Sequence, residues 1–235
     1  MTKRFEGQLA LVTGASRGIG AAIAKALAAE GAHVILTART AGALEQVEEA
    51  IHAAGGTATI APLDLIETDS IARLASAVAE RWGTLDILVL NAATLGSLSA
   101  VQAIDAKEFA KVMTLNVSAQ QALIAAFDAA LRKSARARVI GITSKVGRQP
   151  RAFWGAYGAS KAAFETLVQA YGEEVEGISN IRVALLDPGA TRTAMRERAY
   201  PGEDPASVKP PEMVADKIAE LIASDAASGH FERIA

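Results

Sequence analysis

A short apolar run, Leu9-Ala10-Leu11-Val12, passes straight into Thr13-Gly14-Ala15-Ser16-Arg17-Gly18-Ile19-Gly20, and strong helix formers follow as far as Glu30. An unbroken apolar run of this length suits a strand buried on both faces, the habit of parallel sheets. Glycines at 14, 18 and 20 allow a tight turn and a close approach of backbone to a phosphate. The start of the helix they lead into attracts such an anion. A strand that feeds a helix in this way needs a crossover to bring the next parallel strand alongside.

The pattern repeats along the chain. Strands are expected at 33–37, 57–61, 85–90, 138–143, 181–186 and near 231–234. Helices are expected at 41–54, 68–82, 107–131, 156–171 and 211–223, with Gly31, Gly55 and Gly83 as stops. This alternation predicts an α/β fold: one domain over residues 1–235, a doubly wound (Rossmann) parallel sheet of six or seven strands with helices on both faces. The polar stretch 191–209, with prolines at 201 and 205, reads as a mobile substrate lid.

Composition narrows the function. A net charge of −2 and scattered Lys and Arg point away from nucleic acid. The absence of Cys removes disulfides, thiolate metal sites and a Cys nucleophile. His33, His52 and His230 lie far apart without acidic clusters, so no metal site is expected. No apolar leader and no run of eighteen apolar residues occur, which predicts a soluble, cytoplasmic chain with no membrane association.

At the end of the second strand stand Thr37, Ala38, Arg39 and Thr40, with no acid to bond a ribose diol. Arg39, with Arg17 from the glycine loop, suits a 2′-phosphate instead, so NADP(H) is expected in preference to NAD(H). Asp64, followed by Leu65, sits after the third strand, where it accepts from an adenine amino group or serves as an ordinary turn residue.

Tyr157 and Lys161 are four apart in a helical segment, so they share a face. Bringing a phenol from about 10 to near 7 takes about 4 kcal/mol. One cation a few Å away supplies on the order of 3–4 kcal/mol at an effective dielectric near 20. The pair is therefore expected to exchange a proton with a carbonyl or alcohol. Phe153 and Trp154, just before it, are candidate pocket walls, and Lys145 is a solvated neighbour of Ser144.

Over nearly its whole length the chain resembles the short-chain dehydrogenase/reductase family. That family's T-G-x-x-x-G-x-G loop matches Thr13 to Gly20 and its adenine-side Asp matches Asp64. Its N-A-G stretch matches Asn91-Ala92 followed by Ala93, its helix Asn matches Asn116, and its strand-end Ser matches Ser144. Its Y-x-x-x-K matches Tyr157 and Lys161, and its P-G element matches Pro188-Gly189 with Thr191 and Thr193 following. Segments 146–157 and 188–205 also resemble a bacterial subgroup of poorly defined substrate.

The resemblance implies hydride transfer between NADP(H) and a small carbonyl or secondary alcohol substrate. Ser144 would orient the substrate oxygen, Tyr157 would exchange its proton, Lys161 would lower the Tyr pKa, and Asn116 would hold a relay water. The backbone around 188–191 and the hydroxyl of Thr191 or Thr193 would hold the carboxamide. A homodimer or homotetramer is implied, through the helices of Asn116 and Tyr157. Two departures stand out. Ala93 replaces a glycine, at a cost of about 1 kcal/mol if positive φ is required. The usual glycine-bearing tail after the last strand is missing, which places one common subunit interface in question. The rival readings are a reductase of acyl-carrier-protein β-ketoesters, using Arg148 and Arg151, and a catalytically silent dinucleotide sensor.

Overall fold

Seven strands make one sheet in the computed structural model, which describes residues 3–234. They are β1 (Leu9–Thr13), β2 (His33–Ala38), β3 (Thr57–Pro62), β4 (Ile87–Leu90), β5 (Arg138–Ile142), β6 (Arg182–Asp187) and β7 (His230–Arg233). Their order is β3-β2-β1-β4-β5-β6-β7, and every neighbouring pair is parallel. The direction of winding reverses between β1 and β4. In sheets of this kind the crevice beyond the strands' carboxyl ends at that reversal is the place for a ligand.

The helices are α1 (Gly18–Ala29), α2 (Ala41–Ala53), α3 (Thr68–Arg81), α4 (Ala106–Met113), α5 (Ala119–Arg132), α6 (Gly155–Val175), α7 (Ala194–Ala199) and α8 (Pro211–Ala223). Alternate strand residues sort them onto two faces. Ala10, Val12, Val34 and Leu36 pack with Ile23 and Leu27 of α1, Leu44 of α2 and Ile218 of α8. Leu9, Leu11, Ile35 and Leu88 pack with Ile71 of α3, Phe127 of α5 and Phe164 and Val168 of α6. Each Val, Leu, Ile or Phe among them, fully buried, contributes roughly 1.5–3 kcal/mol.

Three features depart from the sequence expectation. The helix expected over 107–131 is present as α4 and α5, but Thr114–Ser118 between them form one π-helical turn. That wider turn carries Asn116 inward, where its Oδ1 accepts from the Thr94 N–H at 2.8 Å and its Nδ2 donates to the Thr94 carbonyl at 2.9 Å. The 191–209 stretch has structure of its own: α7, then a short turn at Pro205–Ser207. Its two ends pair, Thr191 beside Lys209, with Arg192 N–H donating to the Lys209 carbonyl at 2.8 Å. Ala93 carries no left-handed strain, because among the described residues Phe153, at φ 71°, is the one non-glycine residue with positive φ. No helix among the described residues is long and apolar enough to cross a membrane.

Candidate active site

Beyond β1 the chain turns through Gly14 (φ 65°) and Gly18 (φ 56°), left-handed values that side chains rarely tolerate. Gly20 is needed for space: a Cβ there would lie 2.3 Å from the Gly14 carbonyl oxygen and 2.6 Å from the Asn91 amide nitrogen. Arg17 holds the cap position of α1 without a side-chain cap bond. The first-turn N–H groups, at Gly18, Ile19 and Gly20, are therefore left for an anion. Ser16 is half-buried in the same loop. The Ala15 N–H donates to the Thr37 carbonyl at 3.1 Å and ties the loop to β2. Arg39 leaves β2 just beyond that tie, exposed like Arg17.

Several expected contacts are already committed within the chain. The Asn91 side chain donates to the carbonyls of Thr13 (2.8 Å) and Gly14 (3.4 Å), so it shapes the loop. The Thr13 hydroxyl, matched in the sequence only as the first residue of the loop, accepts from the N–H groups of Asn91 and Ala92 at 2.9 and 3.0 Å. Gln120, which sequence reasoning missed, donates to the Ala92 carbonyl at 3.0 Å. One Asp64 oxygen accepts from the Ile66 N–H at 3.1 Å, and Leu65 is buried in the core, so its side chain is withheld from the crevice. The Thr191 hydroxyl donates to the Pro188 carbonyl at 3.1 Å, and that of Thr193 caps α7 by accepting from the Arg196 N–H at 3.1 Å. Gly189 (φ 63°) permits the turn after Pro188, and a Cβ there would meet the Ile234 carbonyl oxygen at 2.6 Å. The Thr193 methyl lies 3.3 Å from where a Gly18 Cβ would be, so the 191–209 segment starts against the glycine loop.

Ser144 follows β5 in extended conformation, half-buried. Tyr157 and Lys161 share a face of α6 and are 8% and 3% exposed. Lys161 Nζ donates to the Ile142 carbonyl at 2.8 Å and lies 5.8 Å from the centre of the Tyr157 ring. Asn116 reaches α6 through Ser160: its Nδ2 donates to Ser160 Oγ at 2.9 Å, and that hydroxyl donates to the Tyr157 carbonyl at 2.8 Å. Ser160 was legible in principle, one turn from Tyr157.

The electrostatics differ from those expected of the isolated pair. Burial, then the Asp187 carboxylate, pushes the Tyr157 phenol above its ordinary value. Burial brings Lys161 down to about 8, against the pull of Glu165 one turn on. Desolvation of both groups therefore outweighs any lowering of the phenol by the Lys161 ammonium, which is bonded to a carbonyl.

The wall is aromatic. Trp154 sets its edge toward Tyr157 with centroids 6.0 Å apart, and Tyr200 of the 191–209 segment lies 5.7 Å from Trp154. Arg151 bonds the Tyr200 hydroxyl, and the Arg196 guanidinium, held by Glu203 at 2.5 Å, sits 3.6 Å over the Tyr200 ring. Phe153 is exposed beside them. Two depressions of about 440 Å³ open elsewhere: one beside Asp64, one among Arg132 and residues 177–180 at the opposite end of the sheet.

A doubly wound sheet whose uncapped helix start and buried Tyr–Lys pair both lie beyond the strands' carboxyl ends defines a class of nucleotide-fold protein. A family model described as short chain dehydrogenase matches residues 8–204, and the chain belongs to the short-chain dehydrogenase/reductase family. It is 38% identical over 207 residues to the uncharacterized oxidoreductase YciK of Escherichia coli K12, covering 87% of this chain and 81% of that one. A solved structure classed as a short chain dehydrogenase, from Pseudomonas syringae, superposes with a TM-score of 0.95 at 38% identity, covering 99% of this chain and 96% of that one. Another, from Shigella flexneri 2a and complexed with NADP, gives a TM-score of 0.94 at 34% identity over 99% of each chain.

Proposed function

We propose that the protein is an NADP(H)-dependent oxidoreductase that interconverts a small carbonyl compound and its secondary alcohol, with Tyr157 as general acid and base. The observation that carries this is the burial of Tyr157 and Lys161 on one face of α6, at the same end of the sheet as the glycine loop. The loop fits a dinucleotide on this chain's own geometry, because glycines at 14 and 18 take the left-handed turn that leads into α1 and no side chain caps that helix. Gly14, Ser16, Gly18, Ile19 and Gly20 would hold the pyrophosphate, and Arg17 and Arg39 the 2′-phosphate. Asp64 would meet the adenine with its second oxygen, and the backbone of Leu65 passes beside it. Asn91 and Ala92 on one side, and Pro188, Gly189, Thr191 and Thr193 on the other, would border the nicotinamide. The NADP bound to the Shigella relative supports the choice of cofactor.

When bound, the nicotinamide supplies or accepts the hydride. The chain supplies the proton. A phenol held above its ordinary value is protonated at neutral pH, the form needed to quench a developing alkoxide. Ser144 orients the oxygen, and the Lys161 ammonium stabilises the phenolate left behind. Asn116 steadies α6 through Ser160. The acyl-carrier-protein reading finds less support, since Arg148 is engaged with Glu165 and Arg151 with Tyr200. A silent sensor is disfavoured by an intact Tyr–Lys pair.

The test is oxidation of NADPH, and of NADH in parallel, against a panel of ketones and diketones. Turnover is expected with NADPH. Tyr157→Phe is expected to lower it about 10²–10⁴-fold while the variant still binds NADPH. Most of the turnover surviving in Tyr157→Phe would overturn the role of Tyr157. Equal or faster reaction with NADH would overturn the cofactor preference.

A further inference from the structure

The turn after β5 carries Ser144 and lies directly on α6. Two glycines permit the approach. A Cβ on Gly147 would come within 3.0 Å of the Lys161 carbonyl carbon and the Ala162 nitrogen, and one on Gly158 within 3.0 Å of the Val146 carbonyl oxygen. Close approach sets the spacing of the turn. Glu165 fastens it. The Thr143 hydroxyl donates to Glu165 Oε1 at 2.5 Å, and Arg148 Nε donates to Oε2 at 2.6 Å. These partners flank Ser144 on either side. The Arg148 guanidinium also lies 3.4 Å from the centre of the Phe231 ring on β7.

The Glu165 side chain is only 8% exposed. An apolar side chain of similar volume would fill that place without the desolvation penalty of a buried carboxylate, so packing alone does not account for it. Glu165 also stands one turn from Lys161 and draws a proton toward it. The other groups facing the Lys161–Tyr157 pair are the Ile142 carbonyl of β5, the Phe164 ring, Asn116 through Ser160, and Asp187 at the end of β6.

We propose that Glu165 is a positioning residue: bonding Thr143 and Arg148, it clamps the Ser144 turn to α6 and fixes the substrate-orienting hydroxyl relative to Tyr157 and Lys161. The inference rests on the proposed reading of those three residues as the reacting set.

The test pairs structure with kinetics. A crystal structure of Glu165→Ala is expected to show the Ser144 turn displaced from α6, a readout that needs no turnover. In Glu165→Gln, kcat for the ketone reduced fastest in the panel is expected to fall about 10–100-fold with KM for NADPH unchanged. The high-pH fall of kcat should also move to lower pH, because the carboxylate no longer helps Lys161 keep its proton. If the Glu165 variants do not fold, Thr143→Val and Thr143→Ser decide. Loss with Val and recovery with Ser supports the clamp, and wild-type kcat in Thr143→Val overturns it. An unmoved Ser144 in Glu165→Ala, or a wild-type kcat and pH profile in Glu165→Gln, also overturns it, and the Tyr157 assignment then still stands. Turnover retained in Tyr157→Phe would instead remove the catalytic reading, and the clamp with it.

Discussion

Lys161 offers three protons and spends one on the Ile142 carbonyl. Under the proposed function the others serve the phenol and the nicotinamide ribose. Holding this cation in the interior works against stability. Its folded pKa is about 8, below the unfolded 10.5. The unfolded chain therefore binds the proton more tightly, and the destabilisation is present in full below about pH 8. It is relieved as the pH rises toward 10.5. Lys161→Met is accordingly expected to be more stable than wild type at neutral pH, by about 1–3 kcal/mol, and inactive. Denaturant unfolding across this range should show the gap narrowing as pH rises, and a variant less stable at neutral pH would refute the account. Phe153 is the second costly residue. Its left-handed backbone stores about 1–3 kcal/mol, and its carbonyl accepts from the Ser99 N–H at 3.1 Å.

At the scale of the element, the 191–209 segment meets the turn before α6 through Tyr200. Tyr200 lies against Trp154, takes a bond from Arg151 and is covered by Arg196. The contacts of Tyr200 with Trp154 and Arg151 together contribute on the order of 2 kcal/mol to holding the segment there. Tyr200→Ala is therefore expected to raise KM for the carbonyl substrate about 10–30-fold and leave NADPH affinity unchanged. An unaltered KM would show that the segment's position over Trp154 does not govern substrate capture. Neither this contact nor the π-turn was legible in the sequence. The 107–131 pattern is continuous helix, and the extra residue in its middle depends on Asn116 meeting the Thr94 backbone 22 positions away. Arg148 and Arg151 read as surface cations because their partners, Glu165 and Tyr200, lie 17 and 49 positions distant.

For the whole molecule, the sheet was readable because its strands are short apolar runs divided by glycine-stopped helices, and burial on both faces leaves such runs little choice of place. The loop glycines were readable because they lie between β1 and the first turn of α1, Ser144 because it stands just past β5, and Tyr157 and Lys161 because a spacing of four puts them on one face of α6. What stayed hidden were the charges: burial sets the pKa directions of Tyr157 and Lys161, and burial is a property of the completed core. Assembly belongs to this scale too. Val101 and Phe109, near α4, and Phe153, before α6, are apolar and exposed. With the family resemblance, they lead us to expect a homodimer or homotetramer through the helices of Asn116 and Tyr157. Light scattering should give two or four times the chain mass, and a monomer at micromolar concentration would refute this.

The pairing of Thr191 with Lys209 has a last consequence. Because the loop leaves and rejoins the scaffold at one point, residues within it can be inserted, deleted or exchanged while β6 and α8 keep their places. If this segment bounds the substrate site, as the proposed function has it, natural variation can rewrite what the enzyme admits without renegotiating how it folds, as a lock is rekeyed without rebuilding the door.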